Sequence, residues 1–128
     1  MATTMRPQRV LVADDERIIA DTIAVILTNN GFETTAVYSG ELAVEAARIL
    51  APDVLIADVV MAGMNGIEAA TLIQGNLPAC KVILLSGNPD AANWLGRSDG
   101  YRFEILIKPI HPTVLLDSVA SMCQMKSA

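Results

Sequence analysis

Four polar positions in this sequence each follow directly on a short apolar run. Asp14, Asp15 and Glu16 come after Arg9-Val-Leu-Val-Ala13, and Asp58 ends Val54-Leu-Ile-Ala57. Ser86 and Gly87 follow Val82-Ile-Leu-Leu85, and Lys108-Pro109 follows Ile105-Leu-Ile107. If these runs are parallel strands of one sheet, the polar residues meet at its carboxyl edge, where such sheets bind ligands. Asp14, Asp15 and Asp58 would then crowd one pocket. Two carboxylates ~4 Å apart repel by ~4 kcal/mol at an effective dielectric of about 20. Either a cation offsets this or a carboxyl pKa rises. Lys108 supplies one positive charge. A hard divalent cation would supply the rest, and an all-oxygen ligand set favours Mg²⁺, with Mn²⁺ as a substitute, over zinc. Mg²⁺ held by one or two carboxylates keeps open positions for phosphate oxygens. The chemistry implied is acceptance of a phosphoryl group.

Each residue alone has an ordinary reading. Asp14 and Asp15 could be solvated residues at a helix start, favoured by its dipole. Asp58 could be a loop carboxylate, Ser86-Gly87 a turn and Lys108 a solvated lysine. Their joint placement at successive strand ends is what points to a site.

The elements between them support that placement. Glu16 to Asn29 reads as a helix with Ile19, Ile23, Ile26 and Leu27 on one face, stopped by Asn30-Gly31. Thr34 to Val37 is a weaker strand. Ser39 can cap a helix to Leu50, with Leu42, Ala46, Ile49 and Leu50 as its apolar stripe, and Pro52 ends it. A loop rich in Met, Gly and Asn leads to a helix from about Ile67 to Gly75. Pro112 opens a final helix whose buried face would be Val114, Leu115, Val119 and Met122. The strands are near-continuous apolar runs, as expected of a parallel sheet covered on both faces. The expected fold is α/β: a doubly wound, five-stranded parallel sheet in a three-layer sandwich of flavodoxin-like form. Between Gly87 and Glu104, two glycines and an Asp-Gly pair argue that the fourth helix is short or irregular.

Composition fits one domain. The chain has 128 residues, 52% hydrophobic and 18% charged, which excludes disorder. No apolar run approaches a membrane span and no secretory signal precedes Arg9, so a cytoplasmic location without membrane contact is the default expectation. A net charge of −5 with nine scattered basic residues argues against direct nucleic-acid binding. Cys80 and Cys123 form no CxxC pair and read as reduced thiols. The lone His111 makes no metal site.

Taken together, these motifs resemble the receiver domains of two-component response regulators. The resemblance runs from Arg9 to Met122. It rests on the acidic pair Asp14-Asp15 and on Asp58 followed by Val-Val-Met61-Ala62-Gly63-Met64-Asn65-Gly66. It rests equally on Ser86 ending the fourth strand and on Lys108-Pro109 ending the fifth. The family pattern implies one bacterial receiver domain over residues 1–128, with a core of about 9–124 and strand order 2-1-3-4-5. It implies Asp58 as the phosphoacceptor. Asp15 and Asp58 would bind Mg²⁺ directly, Asp14 through water, and the Val60 carbonyl would complete the protein ligands. Lys108, the Ser86 hydroxyl and the Gly87 amide would hold phosphoryl oxygens, and the Lys108–Pro109 peptide is expected to be cis. The expected donor is a phosphohistidine on a sensor kinase or phosphotransfer protein. The expected product is a signalling phosphoprotein rather than an enzyme, promoting only its own phosphorylation and dephosphorylation. It would act on a downstream protein or through a phosphorylation-dependent homodimer.

The chain departs from the family pattern in four places. Ala62 stands in place of the usual proline, which should loosen the loop slightly. Ile105 stands where Tyr or Phe is usual, so output coupling is expected through the segment carrying Trp94 and Tyr101, ordered on phosphorylation, rather than through a ring at Ile105. The fourth helix is poor. His111 occupies the place of a capping Asp or Ser. Among other readings, a haloacid-dehalogenase-like phosphatase would need an Asp at position 60, where this chain has Val60. A dinucleotide-binding domain would need GxGxxG after the first strand. A receiver module cut from a larger regulator or hybrid kinase stays open.

Overall fold

The computed structural model describes residues 7–90 and 103–125. β1 (Arg9–Ala13) leads to α1 (Arg17–Asn29), then β2 (Glu33–Val37), α2 (Gly40–Leu50) and β3 (Val54–Asp58). α3 (Gly66–Asn76), β4 (Lys81–Ser86), β5 (Phe103–Ile107) and α4 (Pro112–Met125) complete the described elements. The five strands form one parallel sheet in the order β2-β1-β3-β4-β5. This is the doubly wound topology expected from the alternating apolar runs. The segment expected to hold a short or irregular helix before β5 lies mostly outside the described residues, as do Trp94 and Tyr101.

Alternate residues of each strand enter two separate cores, because successive side chains point to opposite faces of a sheet. Leu11, Leu55, Ala57, Val82 and Leu84 pack with Ala43 and Ala47 of α2 and Ala70 and Ile73 of α3. Val10, Val12, Val54, Ile56, Ile83 and Leu85 pack with Ala20, Ile23 and Leu27 of α1 and with Leu115, Val119 and Met122 of α4. β3 is buried along its whole length, whereas β2 and β5 are the sheet edges and are only partly covered.

Two helix faces differ from those expected. In α2 the buried positions are Gly40, Ala43 and Ala47, while Leu42 and Ile49 face outward with 49% and 77% of their surface exposed. Ala46 and Leu50 of the expected stripe do pack, partly buried, against this core, so the buried face is turned toward the alanines rather than lost. In α4, Leu115, Val119 and Met122 are buried as expected, but Val114 is 49% exposed.

The caps are local and readable. The Ser39 hydroxyl accepts from Leu42 N at 3.0 Å. Asn65 and Glu68 form a reciprocal capping box at the start of α3, with the Asn65 Oδ1 accepting from Glu68 N and Glu68 Oε1 accepting from Asn65 N. His111 fills the role of the missing Asp or Ser: its Nδ1 accepts from Thr113 N at 3.2 Å. At the amino edge of the sheet, Arg9 N donates to Asp53 and its guanidinium to Glu33 and to the Leu50 carbonyl.

Glycine is required at one point that the site depends on. A Cβ on Gly66 would lie 2.1 Å from the Asp58 carbonyl oxygen, a backbone atom that cannot step aside. A Cβ on Gly75, also in α3, would meet nothing within 4 Å. Gly66→Ala should therefore destabilise the fold by about 1–3 kcal/mol. Gly75→Ala should stabilise it by about 0.4–1 kcal/mol. Urea unfolding of both variants checks the opposite signs.

Candidate functional site

Strand register brings the acidic residues together. Ala13 lies beside Ala57 on the neighbouring strand, so Asp14 and Asp58 leave β1 and β3 side by side. Asp14 is fully buried, and its amide donates to the Val37 carbonyl at 3.2 Å. Its Oδ1 accepts from Glu16 N at 3.0 Å, which turns the chain into α1. Asp15 is exposed at the same corner. Asp58 is 7% exposed. One carboxylate oxygen from each of Asp14, Asp15 and Asp58 lies within 4.8 Å of the others.

Lys108 crosses from the far side of the sheet to meet them. Its amide donates to the Ser86 carbonyl at 2.8 Å, which aligns the end of β5 with the end of β4. Its ammonium lies 3.2 Å from Asp14 Oδ2 and 3.3 Å from Asp58 Oδ2. The following Lys108–Pro109 peptide is cis, as expected.

One ammonium does not neutralise three carboxylates. Burial pushes the Asp58 carboxyl above its ordinary value, the Asp14 charge pushes it further, and the pull of Lys108 does not fully offset them. For Lys108, burial pulls the ammonium down, but Asp58 and Asp14 outweigh it and the group ends above the usual lysine range. The surplus is negative and all-oxygen, which fits a hard divalent cation bound by Asp14, Asp15 and Asp58.

The loop after Asp58 is tied to this corner. Val59 N donates to the Leu85 carbonyl at 2.9 Å, and Gly66 N to the Val59 carbonyl at 3.0 Å. Ala62 N donates to Asp15 Oδ2 at 3.1 Å, and Met64 N to Glu41 Oε2 at 3.2 Å. Val59 and Met61 are buried in the core beneath α2 and α3, while Val60 between them is 77% exposed.

Residues 10–120 match the family model described as the response regulator receiver domain. The chain belongs to this family. Its relatives include the DNA-binding response regulator MtrA of Mycobacterium tuberculosis, 29% identical over 91% of this chain and 50% of that protein. The receiver domain thus spans about half the length of that curated relative. Among solved structures, a response regulator receiver protein from Sinorhizobium medicae is 28% identical with a TM-score of 0.80, covering 91% of this chain and 94% of that one. The chemotaxis response regulator CheY4 of Vibrio cholerae is 26% identical with a TM-score of 0.79, covering 91% and 98%. Bacterial two-component regulators with this flavodoxin-like fold are its structural neighbours. None of the described helices is long and apolar enough to cross a membrane.

Within the receiver domain, Asp14, Asp15, Asp58 and Lys108 converge as the sequence anticipated. Ser86 ends β4 and is buried, but its hydroxyl is engaged with the loop beyond it: Oγ accepts from Asn88 N at 3.0 Å and donates to the Asn88 carbonyl at 3.2 Å. Gly87 is exposed beside it. Ile105 is partly buried and packs with Phe103 against the core under α2 and α3. The Ala62 amide makes a bond to Asp15 that a proline at this position could not make. Glu41 was missed by sequence reasoning. It sits 23 positions before the amide it holds, and a lone Glu in a helix first turn carries no signal beyond the dipole.

The charge surplus has a stability consequence. A carboxyl whose folded-state pKa is raised binds its proton more tightly in the folded chain than in the unfolded one. Stability therefore falls as pH rises from the ordinary aspartate value through the raised one, and stays lower above it. Asp58→Asn removes that penalty while leaving Lys108 paired with Asp14. It should raise stability at pH 7 by roughly 0.5–2 kcal/mol. The gain should shrink as pH falls toward the ordinary carboxylate range, and thermal unfolding at several pH values measures it.

Proposed function

We propose that this receiver domain is a phosphorylation switch that takes a phosphoryl group onto Asp58 from a phosphohistidine of a sensor kinase or phosphotransfer protein. The observation that carries the reading is the Lys108 ammonium placed between Asp14 and Asp58 within a cluster of three carboxylates. Such an arrangement is costly unless a cation offsets the surplus negative charge, and that cation then makes room for an anionic group. Mg²⁺ is the fitting cation: Asp15 and Asp58 would hold it, Asp14 would act through water, and the Val60 carbonyl would add a backbone oxygen. When bound, it supplies charge neutralisation at the phosphoryl oxygens.

The chain's own residues do the rest. An Asp58 carboxylate oxygen attacks phosphorus in line, and the phosphorus–nitrogen bond to the donor imidazole breaks. The imidazole nitrogen keeps the electron pair and takes up a proton. Lys108 moves from its ion pair with Asp58 to a phosphoryl oxygen, retaining Asp14 as its anchor. The raised Asp58 pKa keeps the attacking carboxylate basic. Phosphoryl transfer of this kind is mainly positioning and charge stabilisation, which suits a site without a dedicated acid or base. In the phosphorylated form the Ser86 hydroxyl leaves the Asn88 backbone for a phosphoryl oxygen, and the Gly87 amide supports another. That exchange would order the segment that carries Trp94 and Tyr101 in the sequence, since Ile105, paired with Leu84 on the neighbouring strand, lacks a ring to report the change. The output is a protein partner or a second copy of the chain. MtrA is named as DNA-binding over a length twice that matched here. The charge argument against nucleic acid concerns only the present 128 residues.

Acetyl phosphate with Mg²⁺ should add one phosphoryl group to the wild type and none to Asp58→Asn, read by intact mass. At limiting Mg²⁺, Asp15→Ala should slow the reaction by at least roughly tenfold. Labelling of the Asp58→Asn chain would show that the acceptor lies elsewhere.

A further inference from the structure

The loop that follows the phosphoacceptor is fastened by side chains from two other elements. Glu41 at the start of α2 holds the Met64 amide, and Asp15 holds the Ala62 amide. Only the second fastening reaches the acidic cluster. It is also specific to this chain's departure from the family pattern, since a proline at position 62 has no N–H to donate.

A carboxylate carries two oxygens, each able to accept independently. With Asp15 Oδ2 occupied by the Ala62 amide, Oδ1 is left for a cation. The same bond ties down the loop two residues after Val60, whose carbonyl is the expected backbone ligand. One hydrogen bond therefore sets both a side-chain ligand and a main-chain ligand. We propose that the Ala62 amide is a positioning group for the divalent cation, orienting Asp15 with one oxygen toward the cluster and holding the Val60 carbonyl in reach. The proposal rests on the reading of this cluster as a Mg²⁺ site. Hydrogen bonds that orient metal ligands commonly change affinity by 10–100-fold when lost. Asp15 and Ala62 are both exposed, so solvent competes for the bond and the expected effect is about three- to tenfold.

Ala62→Pro deletes the donor, and Ala62→Ser keeps it while changing the side chain. Mg²⁺ titrations of the whole chain, followed by amide chemical shifts, should give matching dissociation constants for wild type and Ala62→Ser. Ala62→Pro should bind about three- to tenfold more weakly. Equal affinity for all three chains would overturn the proposal, as would an equal loss in Ala62→Ser. A second readout needs no substitution. The Ala62 amide of the wild type should stay protected from hydrogen exchange when Mg²⁺ saturates the site. Loss of that protection on metal binding would mean that the cation displaces the amide, and would overturn the proposal even if Ala62→Pro folds poorly. Wild type that binds no Mg²⁺ would overturn the metal-site reading itself. Binding that is indifferent to position 62 overturns only the role of the amide.

Discussion

The site depends on confining more negative charge than one lysine can balance. Asp14 is fully buried, Asp58 nearly so, and Lys108 spans both at 3.2 and 3.3 Å. The three residues belong to the ends of β1, β3 and β5, so the ion pairs run across the sheet edge between non-neighbouring strands. A buried ion pair is a weak source of stability, because desolvation offsets its attraction. Its value here is specificity of arrangement. The surplus negative charge leaves the corner ready for a cation, held at the end of the largely buried strands β1, β3 and β4.

The parts legible in the sequence share one property: they are set by position relative to an apolar run. Asp14, Asp58, Ser86 and Lys108 each mark where an apolar strand ends, so reading the strands locates the sheet edge and the residues on it. The expected cap at Ser39 is equally local. What escaped was decided by distances between elements. The outward turn of Leu42 and Ile49 reflects which face α2 presents to the sheet, a tertiary choice that its apolar residues alone leave open. The bonds from Asp15 to Ala62 and from Glu41 to Met64 join positions 47 and 23 residues apart. At position 62 the sequence shows a missing proline ring but not the partner of the amide gained, which lies 47 residues away on Asp15.

His111 makes the same point in the other direction. It stands where a capping Asp or Ser is usual, and its imidazole Nδ1 accepts from the Thr113 amide. Capping requires an acceptor at the right reach, and several side chains supply one. Departures from a family pattern are therefore better judged by which hydrogen-bond donor or acceptor is gained or lost than by residue similarity.

The division of the interior into two cores has an evolutionary reading. The sheet backbone separates the packing under α2 and α3 from the packing under α1 and α4, because successive side chains of each strand point to opposite faces. Side chains in different cores share few packing partners, so their changes couple less than changes within one core. Substitutions on the two sides should thus accumulate along nearly independent lineages, with compensation for a lost methyl group arising on the same side as the loss. The loop residues Val59 and Met61 are rooted in one core, and Leu85 and Ile110 belong to or pack on the other. Selection on one face of the domain can then proceed without epistatic cost to the other.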